Sequence, residues 1–166
     1  MEGIALVDAP APTRADAFAA TVGRHYPALV RRLTAVVGDR ESALDLAQEA
    51  YLRAYRAWER FDGTDTRAWL YTIGLRLAFN ERDRRRRWAR LLGRRTDAVD
   101  WIHPADQDLH AALGRLPRQQ RAALLLSVVD GYTQSEIAAM LEVPPGTVAS
   151  WLSRAKAQLR EALTDA

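Results

Sequence analysis

Arginines, carboxylates and small polar side chains on predicted helices are the residues of this 166-residue chain whose types and spacing suggest a chemical role. Residues 66–95 contain ten arginines and two acids, a net charge of +8, whereas residues 38–65 contain seven acids and four arginines, a net charge of −3. Arginine donates paired hydrogen bonds to phosphate, so the basic segment indicates contact with nucleic acid. The alternative is a basic helix face that only meets solvent.

Aromatic side chains accompany the arginines of the basic segment. Trp69, Tyr71 and Phe79 occur beside Arg76 and Asn80 on one predicted helix. Aromatic rings stack on unpaired bases, while arginines hold the phosphates. This combination is typical of a surface that meets DNA whose strands are being separated. The alternative is that Trp69 and Phe79 belong to the core.

Four polar residues and one leucine lie on one face of the predicted helix 41–60, at spacings of three and four. Its members are Asp45, Gln48, Glu49, Leu52 and Arg56. One interpretation is a solvated face that happens to include a leucine. The other is a docking surface for a basic helix of a partner protein.

Residues 132–160, YTQSEIAAMLEVPPGTVASWLSRAKAQLR, predict two helices joined by a tight turn. Thr133 and Glu136 have the spacing of a capping box, and Pro144 and Pro145 stop the first helix. The second helix has an apolar stripe, formed by Val148, Leu152, Ala155 and Leu159, and a polar face, formed by Thr147, Ser150, Arg154 and Gln158. This is the plan of a helix-turn-helix that reads the DNA major groove, and an ordinary helical hairpin is the alternative.

The remaining sequence predicts further helices and no persistent strand pattern, so the expected fold class is all-α. Helices are predicted over about 16–37, with interruptions at Gly23 and Pro27, and over 41–60, and a third, capped by Thr66, continues into the arginine run. The apolar pattern resumes at Asp108, and Pro117 starts a helix whose apolar block includes Val128 and Val129. We expect two small helical domains, a flexible linker over 93–107 and a disordered lead-in over 1–15.

Composition excludes several functional classes. The chain has no cysteine, so it has no disulfide, thiolate metal site or thiol switch, and its three histidines are scattered. We find no glycine-rich phosphate loop and no nucleophile with a matching base, so the sequence predicts no enzyme, no cofactor and no metal. No apolar run is long enough to cross a bilayer and no secretory signal is evident, so we expect no membrane insertion and a cytoplasmic location.

Three segments resemble, in this order, the extracytoplasmic-function (ECF) sigma factors, which are sigma-70-type initiation factors of bacterial RNA polymerase. ALDLAQEAYLRAYRAWERFDG resembles the second conserved sigma region, and TRAWLYTIGLRLAFNERDRRRR resembles the part that recognises and melts the −10 promoter element. The segment that starts at Leu109 with LHAALGRLPRQQR and runs through the helix-turn-helix resembles the fourth region, which binds the −35 element. The resemblance implies region 2 over 16–92, the linker over 93–107 and region 4 over 108–166.

The resemblance also implies partners and site residues. The expected partners are core RNA polymerase, bound through its β′ clamp helices and its β subunit, promoter DNA and an anti-sigma factor, and the chain itself performs no covalent chemistry. The resemblance places polymerase binding on Asp45, Gln48, Glu49, Leu52 and Arg56. It places −10 contacts on Phe61, Trp69, Arg76, Asn80, Arg84, Arg85 and Arg87, with a flipped base held by the loop 61–66. It places −35 contacts on Arg118, Thr133, Thr147, Ser150, Trp151, Arg154 and Gln158.

The sequence departs from the family pattern in two helices. Gly74-Leu75-Arg76 stands where Ala-Arg-Asn is usual, and Ala149 and Trp151 replace a lysine and an arginine of the recognition helix. Each lost phosphate contact lowers the salt dependence of binding by about one unit of slope, so we expect the arginine-rich helix to supply more of the affinity. The sequence leaves two placements open for Trp151, packing inward or contact with DNA.

Two other functions stay open: a stand-alone helix-turn-helix regulator, and a sigma-like interaction protein with a degenerate DNA face.

Overall fold

The computed structural model describes residues 13–92 and 107–164, with the backbone alone for 81–92 and 107. Within these ranges the chain forms eight α-helices, two short 3-10 turns and no strand, which confirms the predicted all-α class. The helices are α1 Arg14–Val22, α2 Tyr26–Val37, α3 Arg40–Ala57, α4 Thr66–Leu92, α5 Gln107–Arg115, α6 Arg118–Val128, α7 Gln134–Leu141 and α8 Pro145–Thr164. The predicted linker lies almost wholly outside the described residues, so the two-domain division stays a prediction.

The first two helices correct one prediction and agree with another. The lead-in was expected to reach residue 15, but α1 begins at Arg14 because Thr13 and Asp16 form a capping box, in which each side chain bonds the other's backbone N–H. The helical segment predicted over 16–37 is interrupted where expected, since a 3-10 turn at Gly23–His25 separates α1 from α2. Pro27 explains the break, because its missing N–H is tolerated only in the first turn of a helix.

Helix α3 packs through a stripe of small residues. Ala43, Ala47, Ala50 and Ala54 are fully buried, which lets the neighbouring helices α2 and α4 approach closely. Larger rings flank the stripe: Phe18 of α1 meets the rings of Tyr51, Tyr55 and Trp58 edge-on, at 4.8 to 5.5 Å between centroids. Such edge-to-face contacts add to the area that the aromatic rings bury.

The start of α4 differs from the predicted cap. The carboxylate of Asp65, one residue before the predicted Thr66, accepts the backbone N–H of Ala68 at 2.9 Å, so Asp65 caps the helix. Further along α4, Gly74 faces α2 so closely that an added Cβ would lie 2.8 Å from Leu29 Cδ1. The absence of a side chain at Gly74 therefore permits the close approach of these two helices.

Helices α5 to α8 surround a second part of the core. Residues 122–126 of α6 are buried together with Ile137, Val148, Leu152 and Ala155, which agrees with the predicted apolar stripes. The prediction that Val128 and Val129 belong to this core is wrong, because 66% and 63% of their surfaces are exposed. Helix α6 ends there, and the chain reverses through Gly131 at a φ of 78°, so both valines lie on the outer side of the turn.

The helix-turn-helix has the predicted boundaries. Thr133 and Glu136 form a capping box, so α7 begins at Gln134, and α8 begins at Pro145. Helix α7 ends before the prolines, because Glu142 adopts the left-handed conformation at a φ of 54° and caps it. We call α1 to α4 the first group of helices and α5 to α8 the second. The two groups contact each other, because α4 packs against α7 and α2 packs against α6.

Substituting Gly74 by alanine should destabilise the fold by about 1 kcal/mol, because overpacking a buried contact costs roughly 1–3 kcal/mol and the gain in helix propensity is about 1 kcal/mol. Gly114→Ala is the matched control, since nothing lies within 4 Å of its added Cβ. We expect this control to stabilise the chain slightly. Urea unfolding followed by circular dichroism measures both, and equal midpoints for the two variants would contradict the close approach at Gly74.

Candidate nucleic-acid interface

The predicted docking surface on α3 is a continuous exposed face. Asp45, Gln48 and Arg56 are exposed, Leu52 has 49% of its surface in contact with solvent, and Glu49 is half-exposed. This face lies opposite the buried alanine stripe of the same helix. The two acids are not equivalent, because Glu49 Oε1 accepts a hydrogen bond from Arg53 Nε at 2.6 Å. The face therefore offers an acidic and apolar surface whose net charge Arg53 partly offsets.

A shallow apolar depression of about 490 Å³ adjoins this face. Gln48 and Leu52 form one side of it, and Gly23, Tyr26 and Tyr51 form the rest. The rings of Tyr26 and Tyr51 meet edge-on at 5.6 Å, which fixes the floor. Sequence spacing predicted the helix face but missed this depression, because Gly23 and Tyr26 come from a different part of the chain.

Three aromatic rings form a stack where α3 leads into α4. Phe61 lies nearly parallel to Trp69 at 4.4 Å between centroids and to Trp58 at 5.6 Å, and the two tryptophan rings lie 6.3 Å from each other. The loop 62–65 that follows is exposed and turns through Gly63 at a φ of 83°. Two predicted −10 residues, Phe61 and Trp69, are thus brought together and face each other, half-buried, beside an exposed loop.

Helix α4 carries the other residues predicted to meet the −10 element. Asn80 is exposed, and Arg76 is half-exposed with its Nη2 2.9 Å from Glu142 Oε1 of α7. Arg84, Arg85 and Arg87 lie on the helical backbone of α4, but their side chains lie outside the described residues. Because α4 is continuous from Thr66 to Leu92, one helix connects the aromatic stack to the arginine run.

Helix α8 presents the predicted polar face. Ser150, Arg154 and Gln158 are exposed and Thr147 is half-exposed, while Val148, Leu152 and Ala155 are buried beneath them. Trp151 is half-buried and packs against the core, so part of its side chain stays at the surface. This geometry combines the two placements that the sequence left open for Trp151.

Thr133 and Arg118, the other two residues predicted to contact the −35 element, form hydrogen bonds within the chain. Thr133 Oγ1 donates to Glu136 Oε2 at 2.7 Å and accepts the backbone N–H of Glu136 at 3.3 Å, so the hydroxyl completes the cap of α7. Arg118 Nη2 donates to the backbone oxygen of Val37 at 3.2 Å, at the end of α2. Both assignments to DNA stay predictions.

Sequence reasoning missed a polar junction between the two groups of helices. Arg32 Nε of α2 lies 2.8 Å from Asp130 Oδ2, an ion pair in which both side chains are about nine-tenths buried. Arg67 of α4 donates to the Asp130 carbonyl at 3.1 Å and to the Tyr132 hydroxyl at 2.9 Å. The available signal was Arg32 itself, a charged residue between the apolar positions Leu29 and Leu33.

Arg121 connects the ends of two helices. Its guanidinium donates to the backbone oxygens of Ala35 and Val36, at the end of α2, and to those of Gly114 and Leu116, at the end of α5, at 2.8 to 3.3 Å. The carboxyl end of a helix carries partial negative charge and unpaired carbonyl groups, so a buried guanidinium is well matched there.

The titrating groups near the junction stay neutral at physiological pH. Burial raises the pKa of the Tyr71 phenol, and the negative charge of Asp130 raises it further. Burial also raises the pKa of Tyr132, although the hydrogen bond from Arg67 acts in the opposite direction. Burial, followed by the charges of Arg24 and Arg67, lowers the pKa of His25.

The described part of the chain has neither a metal-binding cluster nor a membrane-spanning helix. In residues 13–92 and 107–164, no group of three or more histidine, aspartate and glutamate side chains is arranged to hold a metal ion. Within the same ranges, no helix has the length and apolar content needed to cross a membrane.

The geometry agrees with comparisons to known proteins. Residues 21–90 match the family model of sigma-70 region 2, and residues 106–159 match that of sigma-70 region 4. The ECF sigma factor EcfG of Rhodopseudomonas palustris is 32% identical over 143 residues, which cover 80% of this chain and 77% of that protein. SigE of Mycolicibacterium smegmatis is 32% identical over 154 residues, covering 86% of this chain but 60% of SigE.

Comparison with solved structures agrees with the family models, because the similar structures are sigma factors. The sigma factor RpoE of Bartonella quintana, in complex with the anti-sigma factor NepR, superimposes with a TM-score of 0.81 at 28% identity, covering 89% of this chain and 97% of that one. CnrH, in complex with the cytosolic domain of CnrY, has a TM-score of 0.65 at 30% identity, covering 90% of this chain and 88% of that one. The chain belongs to the sigma-70 family and, within it, to the ECF sigma factors, as its sequence predicted.

Thr133→Ala should lower the free energy of unfolding by about 1 kcal/mol, because it removes the side-chain cap of α7. Thr133→Ser is the control: it retains the hydroxyl, so we expect nearly unchanged stability. Urea denaturation of both variants checks this. If alanine and serine have the same effect, the hydroxyl does not stabilise α7.

Proposed function

We propose that this chain is an ECF-type sigma factor that binds core RNA polymerase and directs it to a subset of promoters. The observation that supports this best is the combination, in one chain, of the exposed α3 face within region 2 and the capped helix-turn-helix within region 4. Sigma factors are initiation factors rather than enzymes, so we assign the covalent chemistry to the polymerase. Since bacterial polymerase and promoter DNA are cytoplasmic, the proposal places the chain in the cytoplasm.

The docking step uses the α3 face. Asp45 and Glu49 offer carboxylates to a basic helix of the β′ subunit, and Leu52 with the adjoining depression offers an apolar contact beside them. A charged rim around a small apolar centre is the usual composition of a specific protein interface. Charge complementarity mainly sets orientation and association rate, while the apolar centre contributes affinity.

The DNA-binding steps use α4 and α8. The basic end of α4 provides phosphate contacts, and the exposed loop 62–65 holds an unpaired base beside the part of the Trp58, Phe61 and Trp69 rings that stays at the surface. Helix α8 offers Thr147, Ser150 and Arg154 to the major groove of the −35 element. Because this face has one arginine, α8 contributes position and shape, and the arginine run of α4 contributes most of the salt-dependent affinity.

The two alternative functions are less well supported. A stand-alone regulator needs the helix-turn-helix but has no use for a region 2, whose family model matches residues 21–90. A decoy with a degenerate DNA face does not account for the regular exposed row on α8. The relatives RpoE and CnrH are solved with NepR and with the cytosolic domain of CnrY, respectively, which supports an anti-sigma factor as a further partner of this chain.

Run-off transcription with purified core polymerase tests the proposal. We expect promoter-specific transcripts that depend on adding the chain, with templates drawn from fragmented DNA of the source genome. Binding to polymerase without transcripts would favour the decoy. Binding to palindromic duplex sites without polymerase affinity would favour the stand-alone regulator.

The double variant Asp45→Lys, Glu49→Lys should reduce binding to core polymerase by at least tenfold, because it replaces attraction with like-charge repulsion. The matched control is Asp108→Lys, Glu161→Lys, which makes the same charge change at exposed positions of α5 and α8. Co-purification with core polymerase and fluorescence anisotropy measure the effect. Equal losses in both variants would show that net charge, rather than the α3 face, governs binding.

A further inference from the structure

We infer that Arg14, at the start of α1, is a positioning residue that fixes the aromatic stack beside which an unpaired base of the promoter is held. Arg14 lies within the predicted lead-in, so it belongs to none of the sites that the sequence predicted. The inference rests on the proposed function, because it names the residue that keeps one of the proposed DNA-binding surfaces in shape.

The guanidinium of Arg14 makes three contacts where α3 ends and the 3-10 turn Trp58–Arg60 begins. Its Nη2 donates to the backbone oxygen of Tyr55 at 3.1 Å, and its Nη1 lies 3.1 Å from Glu59 Oε1. Its Cζ lies 5.0 Å from the centre of the Tyr55 ring, which is within the range of a cation–π contact. One side chain of α1 therefore holds this turn at its start and in its middle.

The carbonyl group of Tyr55 begins a chain of hydrogen bonds that leads to the aromatic stack. It also accepts the backbone N–H of Trp58, and the Trp58 carbonyl accepts the backbone N–H of Phe61 at 3.2 Å. Trp58 and Phe61 are two of the three rings of the stack, and Trp69 of α4 is the third. By fixing the Tyr55 carbonyl, Arg14 therefore fixes the backbone turn from which two of the rings project.

The turn that carries these rings needs external support. Hydrogen bonds in 3-10 segments have poorer geometry than those of an α-helix, so a short 3-10 turn is easily distorted. The carbonyl groups at the end of α3 carry partial negative charge, which a nearby cation stabilises. Phe18 lies four positions after Arg14, on the same face of α1, and its ring meets the Trp58 ring edge-on at 5.5 Å. Helix α1 thus supports the stack with a ring and its backbone with a guanidinium.

The contacts of Arg14 matter more for geometry than for folding stability. The side chains of Arg14 and Glu59 are 44% and 73% exposed, and an exposed ion pair adds little to the free energy of unfolding. Aromatic rings, by contrast, bind an unpaired base only where their faces or edges meet it correctly. Loss of Arg14 should therefore disturb the aromatic stack in a chain that still folds.

The alternative role for Arg14 is a direct contact with a DNA phosphate. The two roles predict opposite effects of removing the Glu59 carboxylate. If Arg14 positions the turn, this change weakens the binding of single-stranded DNA, whereas if Arg14 binds a phosphate, the change frees the guanidinium and strengthens the binding. The roles also differ in salt dependence, since the loss of one phosphate contact lowers the slope of log affinity against log salt concentration by about 0.7 for a single strand.

Binding of single-stranded DNA by the holoenzyme, measured by fluorescence anisotropy at several salt concentrations, tests the inference. The probes are the two separate strands of the −10 region of a promoter identified by run-off transcription. We expect Arg14→Ala to weaken binding about fivefold, the lower end of what the loss of one stacked base causes, with an unchanged salt slope. Glu59→Ala should also weaken binding, by a smaller factor, because Arg14 then retains its two contacts with Tyr55.

Arg24→Ala is the matched control for the loss of an arginine. Arg24 is exposed just beyond the other end of α1, and its Nε donates to the backbone oxygen of Thr21 at 3.1 Å. This variant removes one positive charge and one hydrogen bond to a carbonyl group, but it leaves the turn after α3 untouched. We expect it to bind single-stranded DNA like the wild type.

Affinity for core polymerase, measured on the same variants, separates the positioning role from general damage to the fold. We expect it to be unchanged, because none of the substituted residues is assigned to the docking face of α3. Wild-type binding of single-stranded DNA by Arg14→Ala would overturn the inference. A salt slope lower by about 0.7 together with tighter binding by Glu59→Ala would also overturn it, as would an equal loss of affinity for polymerase.

Each of those results leaves the sigma assignment standing, since the wild type binds polymerase in all of them. A wild type that does not bind core polymerase would overturn the proposed function and the inference with it.

Discussion

The ion pair between Arg32 and Asp130 is the contact on which the rest of the arrangement depends. It joins α2 to the turn between α6 and α7, and it is the most buried charge pair in the described part of the chain. Arg67 holds the carbonyl group of the same aspartate, and Arg121 holds the end of α2 from the other side. These contacts join α2 and α4 to the turn that leads into the helix-turn-helix, and α2 to α6.

The helices of this fold were largely predictable, because they depend on local chemistry. The capping box of Thr133 and Glu136 and the proline at the start of α8 act within a few residues, and the structure has both where the sequence put them. The break near Pro27 was predictable in the same way, because proline is tolerated only in the first turn of a helix. An error arose where two local signals competed: Asp65 outcompeted Thr66 as a cap, since aspartate is the stronger capping residue.

The contacts between the two groups of helices were not predictable from periodicity. Arg67 and Tyr132 are 65 positions apart, and nothing in the spacing of either one indicates the other. The candidate site was predictable in part, because the α3 face and the α8 face follow from helical spacing alone. The depression beside Leu52 and the pairing of Arg76 with Glu142 depend on tertiary structure, as does the exposure of Val128 and Val129.

The account as a whole describes an ECF sigma factor for which we propose docking on core polymerase through the exposed face of α3. The most direct test is site-specific cross-linking from Leu52→Cys, because the chain has no cysteine of its own and Leu52 is exposed on that face. A photoreactive label on this cysteine should cross-link to the β′ subunit of core polymerase, whereas the same label on Ala20→Cys, an exposed position of α1, should not. Equal cross-linking from both positions, or none from Leu52→Cys in a chain that still binds polymerase, would contradict the account.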